Sequence, residues 1–195
     1  MILEMTDRQR EIIDVSLQLI DEKGIQGLTI KNLAKNIGFS ESAIYRHYEN
    51  KIQILLAILD FFKEGSERIF ANELNSDDDA MVKINRLFVN QFTIFTNSPS
   101  LVAVIFSEEL FRNEMVLAEK VNEIMNSNLN TMAQIIESGQ ENGEIRADVE
   151  ASHLSIVVMG TLRLYVKKWH ISNYSFNLVT KGNELSAAIE TLIKK

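Results

Sequence analysis

Three residues, Gly38-Phe39-Ser40, constrain this chain more than any other stretch. Ahead of them Thr29 stands where a helix cap belongs, and Ile30, Leu33, Ala34 and Ile37 recur at helical spacing. Behind them Ser40 caps another helix, only about two turns long. A glycine stop followed almost at once by a serine start forces a sharp turn between two short helices. That is the length and glycine placement of a helix-turn-helix. A helix so short does not persist alone in water, so packing must hold it, and Ile44 with Phe39 can supply that contact.

Flanking helices complete a small N-terminal module. Thr6 and Gln9 have capping-box spacing, Ile13, Leu17 and Ile20 follow at i, i+4 and i+7, and Gly24 offers a stop. Asn50 caps a fourth helix carrying Ile52, Leu55, Leu56, Leu59 and Phe62. The short third helix keeps one face spare, with Glu41, Ser42, Tyr45, Arg46 and, around its end, His47. Short polar groups early and donors late suit a helix entering the DNA major groove. Tyr45, His47 and Tyr48 can donate to phosphate oxygens, and Lys51 adds a positive charge. Ser40 belongs to the same candidate surface.

Charge agrees with a contact confined to this region. The whole chain carries −7, which argues against coating nucleic acid non-specifically. Residues 28–51 nevertheless hold four basic and two acidic side chains, while 52–195 hold 13 basic and 19 acidic.

Beyond Phe62 the pattern shifts to longer helices with weak breaks. One proline and eight glycines in 195 residues leave little punctuation for any fold other than all-α. Residues 76–79, SDDD, read as a loop and cap before Phe88, Phe92 and Phe95. Ser98-Pro99 starts a sixth helix. A long seventh carries Met125, Leu129, Met132 and Ile136 and stops near Gly143, with GEIRADVE as a linker. The eighth, about 149–170, bears a stripe of Leu154, Val158, Leu162, Tyr165 and Trp169, with Val157 and Leu164 on another side. The ninth carries Leu185, Ile189 and Leu192. The expected domains are 1–51, the small module with the helix-turn-helix, and 52–195, a larger helical module, to which the family resemblance given next assigns ligand binding and dimerisation.

Residues 8–62, with EKGIQGLT and then IKNLAKNIGFSESAIYRHYENK, resemble the DNA-binding domain of the TetR family of bacterial transcriptional regulators. Carried over by position, Thr29, Tyr45, His47 and Lys51 match the family's phosphate contacts. Lys31, Glu41, Ser42, Ala43 and Arg46 match positions that face bases. Glu41 departs from the polar or basic residues common there: it either reads cytosine N4 or favours the helix dipole. Ala43 replaces a frequent threonine and offers only a methyl group to thymine. The resemblance also implies a homodimer through the last two helices, with Leu154, Val158, Leu162, Tyr165, Trp169, Leu185, Ile189 and Leu192 as interface candidates. It implies an apolar effector pocket, for which Phe88, Phe92, Phe95, Met125, Leu129, Met132 and Met159 are candidates. Gln91, Thr93, Asn126 and Arg163 are possible polar partners, and the sequence does not choose among them.

The expected function is therefore a dimeric, ligand-responsive regulator. It would repress from a palindromic double-stranded operator and be released by a small apolar effector. The alternative is a helical small-molecule-binding protein without DNA recognition. Enzyme chemistry finds little footing. Glu150-x-x-His153 has ligand spacing, but a di-iron bundle needs that motif twice, and no cysteine or HExxH accompanies it. No metal or other cofactor is expected. The lack of cysteine fits a reducing cytosol, and MILEMTDRQR lacks the plan of a signal peptide. No apolar run reaches the ~18 residues of a membrane span, so a cytoplasmic location is expected.

Overall fold

A computed structural model of the protein describes residues 5–195, with Glu109 described by its backbone alone. The fold is all-α, and the helices divide into two compact units. The first holds the chain up to Phe62 together with Ser98–Val121; the second holds Lys63–Asn97 and Asn122–Lys195. This division departs from the expected 51/52 boundary. The first half of the fourth helix and the segment after Pro99 pack with the N-terminal helices, a long-range grouping that local patterns do not encode.

In the first unit, α1 (Asp7–Gly27) starts with the expected capping box: Thr6 Oγ accepts from the Gln9 N–H, and Gln9 Oε1 accepts from the Thr6 N–H. Gly24 interrupts it at φ 67°, where a side chain would be strained, and a last turn follows. Next come α2 (Ile30–Ile37) and α3 (Glu41–Tyr45), then α4 (Lys51–Leu74), capped by Asn50 Oδ1 accepting from the Gln53 N–H at 3.0 Å. Ile12, Ile13, Leu19, Leu33, Ile44, Ile54 and Leu55 form the interior, each stabilising the fold by about 1.5–3 kcal/mol. One sixth helix was expected, but there are two, α6 (Pro99–Ile105) and α7 (Glu108–Asn113). Ser98 makes no side-chain cap, so proline alone marks the start of α6, which packs on α1.

In the second unit, α5 (Ala80–Asn97) and the C-terminal α10 (Leu178–Ile193) lie against each other. A Cβ at Gly182 would sit 2.2 Å from the Phe92 ring, so only glycine permits this approach. Phe92 also meets Phe88 edge-on at 5.7 Å and Tyr165 at 6.3 Å. The long α8 (Met115–Glu141) ends before Gly143 at φ 77°, and α9 (Ala151–Ile171) follows. The linker between α8 and α9 is fixed rather than loose. Ile145 is fully buried and bridges to Lys194, the Arg146 N–H donates to the Ile193 carbonyl at 2.9 Å, and the Lys195 N–H donates to that of Glu144 at 3.1 Å. Glu144 Oε2 accepts from the Ala80 N–H at 2.6 Å, so this linker supplies a cap at the start of α5.

Candidate nucleic-acid interface

Everything about α3 follows from how its two ends are held. Gly38, at φ 81°, ends α2 in the left-handed region and lets the chain turn at once. Ser40 Oγ then accepts from the Ala43 N–H at 3.2 Å and touches Ser42 Oγ at 2.9 Å. The helix itself spans five residues, shorter than expected, and a turn continues it. The His47 and Tyr48 N–H groups both donate to the Ile44 carbonyl, at 2.9 and 3.1 Å. Ile44 is fully buried and anchors the underside.

On the outer side Ser40, Glu41, Ser42 and Arg46 are exposed, and Tyr45 is 51% exposed. His47 and Ala43 are half-buried. Thr29 and Lys31 are exposed at the start of α2, where Thr29 Oγ accepts from the Asn32 N–H at 3.1 Å. One candidate moves inside. Tyr48 is only 7% exposed, and burial raises the pKa of its phenol, so it is a packing residue and not a phosphate donor. The cause is the turn at 46–47, which rewinds the chain and swings Tyr48 under the helix. Lys51 is half-buried, and its ammonium donates to the Ile25 carbonyl at 2.6 Å. Phe39 is half-buried and lies beneath the Arg8 guanidinium, 4.7 Å from the ring centre. That cation–π contact joins residues too distant in sequence for any local pattern to reveal.

In the second unit, Phe88, Phe92, Phe95 and Met132 are buried, while Met125, Leu129 and Met159 are half-buried. Of the possible polar partners, Thr93 and Asn126 are exposed. Arg163 is half-buried, and burial lowers its pKa. Gln91 is 3% exposed and donates to Ser66 Oγ at 3.2 Å, and Ser66 donates to Asn128 Oδ1 at 3.2 Å. Ser66 and Asn128 escape a sequence reading because polar residues inside an apolar helical pattern look like surface positions.

The interface candidates need correction. Leu154, Val158, Leu162, Trp169 and Ile189 are buried within the single chain, and Tyr165 and Leu185 are half-buried. Only Leu192 of the eight is exposed, at 62%. The stripe that reads as most apolar is the one facing the protein's own core. The exposed apolar residues of α9 are Ile156, Val157, Leu164 and Ile171. Glu150 and His153 sit 3.7 Å apart at the exposed start of α9.

The family model described as "YsiA-like protein, C-terminal region" matches residues 64–193, and that described as "Bacterial regulatory proteins, tetR family" matches 12–58. The chain belongs to the TetR family. As a TetR-family transcriptional regulator, it is similar to the "Fatty acid metabolism regulator protein" of Bacillus subtilis, 25% identical over 178 residues and covering 90% of each chain. It is also similar to the "Nucleoid occlusion factor SlmA" of Vibrio campbellii, at 22% identity and 97% of each chain. The TetR fold recurs in the crystal structure of the transcriptional regulator FadR from Bacillus subtilis in complex with stearoyl-CoA. The TM-score is 0.80, with 22% identity over 92% of this chain and 96% of that one. The two Bacillus subtilis relatives are both named as regulators. Among the described residues of this TetR-family chain, no helix is long and apolar enough to cross a membrane.

Proposed function

We propose that this regulator is a cytoplasmic homodimeric repressor that binds a palindromic operator through α3 and lets go when a long-chain acyl thioester enters its second unit. The observation carrying the DNA reading is the exposed polar surface of Glu41, Ser42, Tyr45 and Arg46 on a helix pinned from below by buried Ile44. Exposed Thr29 and Lys31, with half-buried His47 and Lys51, stand as phosphate- or base-facing neighbours.

Pairing is supported by α9. Ile156, Val157, Leu164 and Ile171 leave apolar surface uncovered, and Leu192 does the same on α10. Gly160, midway along the same stripe, has nothing within 4 Å of where a Cβ would lie. A mid-helix glycine costs about 0.5–1 kcal/mol relative to alanine. No contact among the described residues asks for it, whereas the close approach of a second helix would. Two copies on a two-fold axis read half-sites about 34–36 Å apart.

The acyl effector is supported by the Bacillus subtilis relative named for fatty acid metabolism and by the phenylalanine- and methionine-rich interior of the second unit. Helix α4 runs from the first unit into the second, so a shift of its second half is felt at Lys51. For release, the acyl compound must bind the DNA-free conformation more tightly.

The test is a mobility-shift titration of the chain's own promoter region, with and without a long-chain acyl-CoA. A shifted band that weakens steeply with salt and disappears on adding acyl-CoA is expected. No band at low salt would favour a ligand-binding bundle without DNA recognition.

A further inference from the structure

Arg8 is the second residue of α1, at the end of a helix where the backbone dipole favours anions and opposes a cation. Asp7 suits that end, and the capping box of Thr6 and Gln9 already holds the first turn. Nothing about starting α1 asks for an arginine here. Its side chain is 57% exposed, yet it is held on two sides. Nη1 donates to Glu11 Oε2 at 2.5 Å, and the guanidinium carbon lies 4.7 Å from the centre of the Phe39 ring.

Phe39 stands between the two helices of the helix-turn-helix, immediately before the Ser40 cap of α3. On its α2 side the backbone is tied, because the Gly38 and Phe39 N–H groups both donate to the Ala34 carbonyl, at 3.0 and 2.8 Å. On its other side α3 has five residues, too few to hold a direction by their own hydrogen bonds. Packing has to hold it. Ile44 is buried beneath the helix and Tyr48 beneath the turn that follows, so both anchors lie toward its C-terminal end.

The N-terminal end is the one that carries Ser40, Glu41 and Ser42. Of residues 38–42 only Phe39 has an apolar side chain, and it is half-buried. A ring left part-exposed can turn outward and take the start of α3 with it. The guanidinium covers its face, and a planar cation over an aromatic ring is a directional contact. The ion pair with Glu11 holds the guanidinium in place and offsets its charge. Hydrogen bonds to base edges weaken steeply with misalignment, so a helix free to rock loses base discrimination first.

Resting on the reading of α3 as the helix that contacts DNA, we infer that Arg8 is a positioning residue, which covers the Phe39 ring from α1 and thereby sets the direction in which the N-terminal end of α3 meets the bases. It acts through Phe39 and not by touching phosphate.

Anisotropy titration of the full-length protein tests this with two labelled duplexes. One is the duplex that the wild type recovers from randomised oligonucleotides, and the other is a scrambled duplex of the same composition. Arg8→Met is expected to weaken the selected duplex by about twofold to fivefold, the worth of an exposed cation–π contact. The scrambled duplex and the salt slope are expected to stay unchanged. Phe39→Leu keeps an apolar side chain without the ring face and is expected to do the same. The double variant should lose no more than either single one. Arg8→Lys keeps a cation over the ring and should recover most of the loss. Urea midpoints show that each variant is folded in the assay; a merely structural contact moves the midpoint and leaves the preference for the selected duplex as it was, which overturns the inference. Equal weakening of both duplexes, with the salt slope lower by about one unit, makes Arg8 a phosphate contact and overturns it too. Additive losses in the double variant overturn the action through Phe39. A wild type that recovers no preferred duplex overturns the reading of α3 itself and this inference with it.

Discussion

The Lys51 ammonium donates to the Ile25 carbonyl oxygen at 2.6 Å, tying the start of α4 to the chain just after the Gly24 break in α1. A charge-assisted bond of this kind is worth about 1.5–3 kcal/mol when shielded, and less here because Lys51 is only half-buried. Lys51→Ala is expected to lower stability by about 1 kcal/mol in urea unfolding. It should also weaken all DNA sequences alike, flattening the salt slope by about one unit. An unchanged slope with lowered stability would make Lys51 a purely internal tie.

Arg46 and Tyr48 lie two residues apart and face opposite ways, one exposed and one buried. Arg46→Ala is expected to relax the preference at one base pair, losing about 1–3 kcal/mol of discrimination. Tyr48→Phe keeps the packed ring and should leave DNA affinity unchanged. Selection from randomised oligonucleotides measures both. A uniform loss across sequences for Arg46→Ala would assign it to phosphate.

Leu162 and Leu164 make a similar pair on α9, 5% and 68% exposed. Leu164→Glu is expected to give a folded monomer with lost operator affinity, read by sedimentation and mobility shift. Leu162→Glu should fail to fold, since it places a charge in the core. A Leu164→Glu protein that still sediments as a dimer would move the interface elsewhere.

Gly182 leaves no room for a methyl group against Phe92. Gly182→Ala is expected to destabilise by about 1–3 kcal/mol through overpacking. Combining it with Phe92→Leu should recover part of the loss, and additive losses in urea unfolding would deny the direct contact.

Burial holds the His170 imidazole below its ordinary value of 6.5, beside Tyr174 at 5.7 Å between ring centres. The unfolded chain therefore takes up the proton at a higher pH than the folded one. The stabilising contribution is complete above 6.5 and is lost as pH falls from there through the lowered folded value. His170→Gln is expected to lose less stability than the wild type between about pH 7.5 and 5.5. Parallel urea midpoints for the two proteins would refute this.

The N-terminal module was legible because its determinants are local. Thr6, Thr29, Ser40 and Asn50 each cap the backbone within three residues, and Gly38 is read from the one conformation it must adopt. Periodicity likewise placed most of the later helices, as with the stop of α8 before Gly143.

What the sequence by itself determined was where most helices begin and end, α3's length and the split between α6 and α7 apart, and that one short helix must carry a polar outer face. Tertiary structure alone decided which side of each helix is inside. Helix α9 is apolar on several sides, so composition could not say that Leu162 faces the core while Leu164 faces out. The same holds for Tyr48 beneath α3, for Glu144 capping α5, and for Asn128 meeting Ser66. Each depends on residues far apart in the chain, whose meeting is fixed by the free energy of the whole packed unit rather than by any local preference.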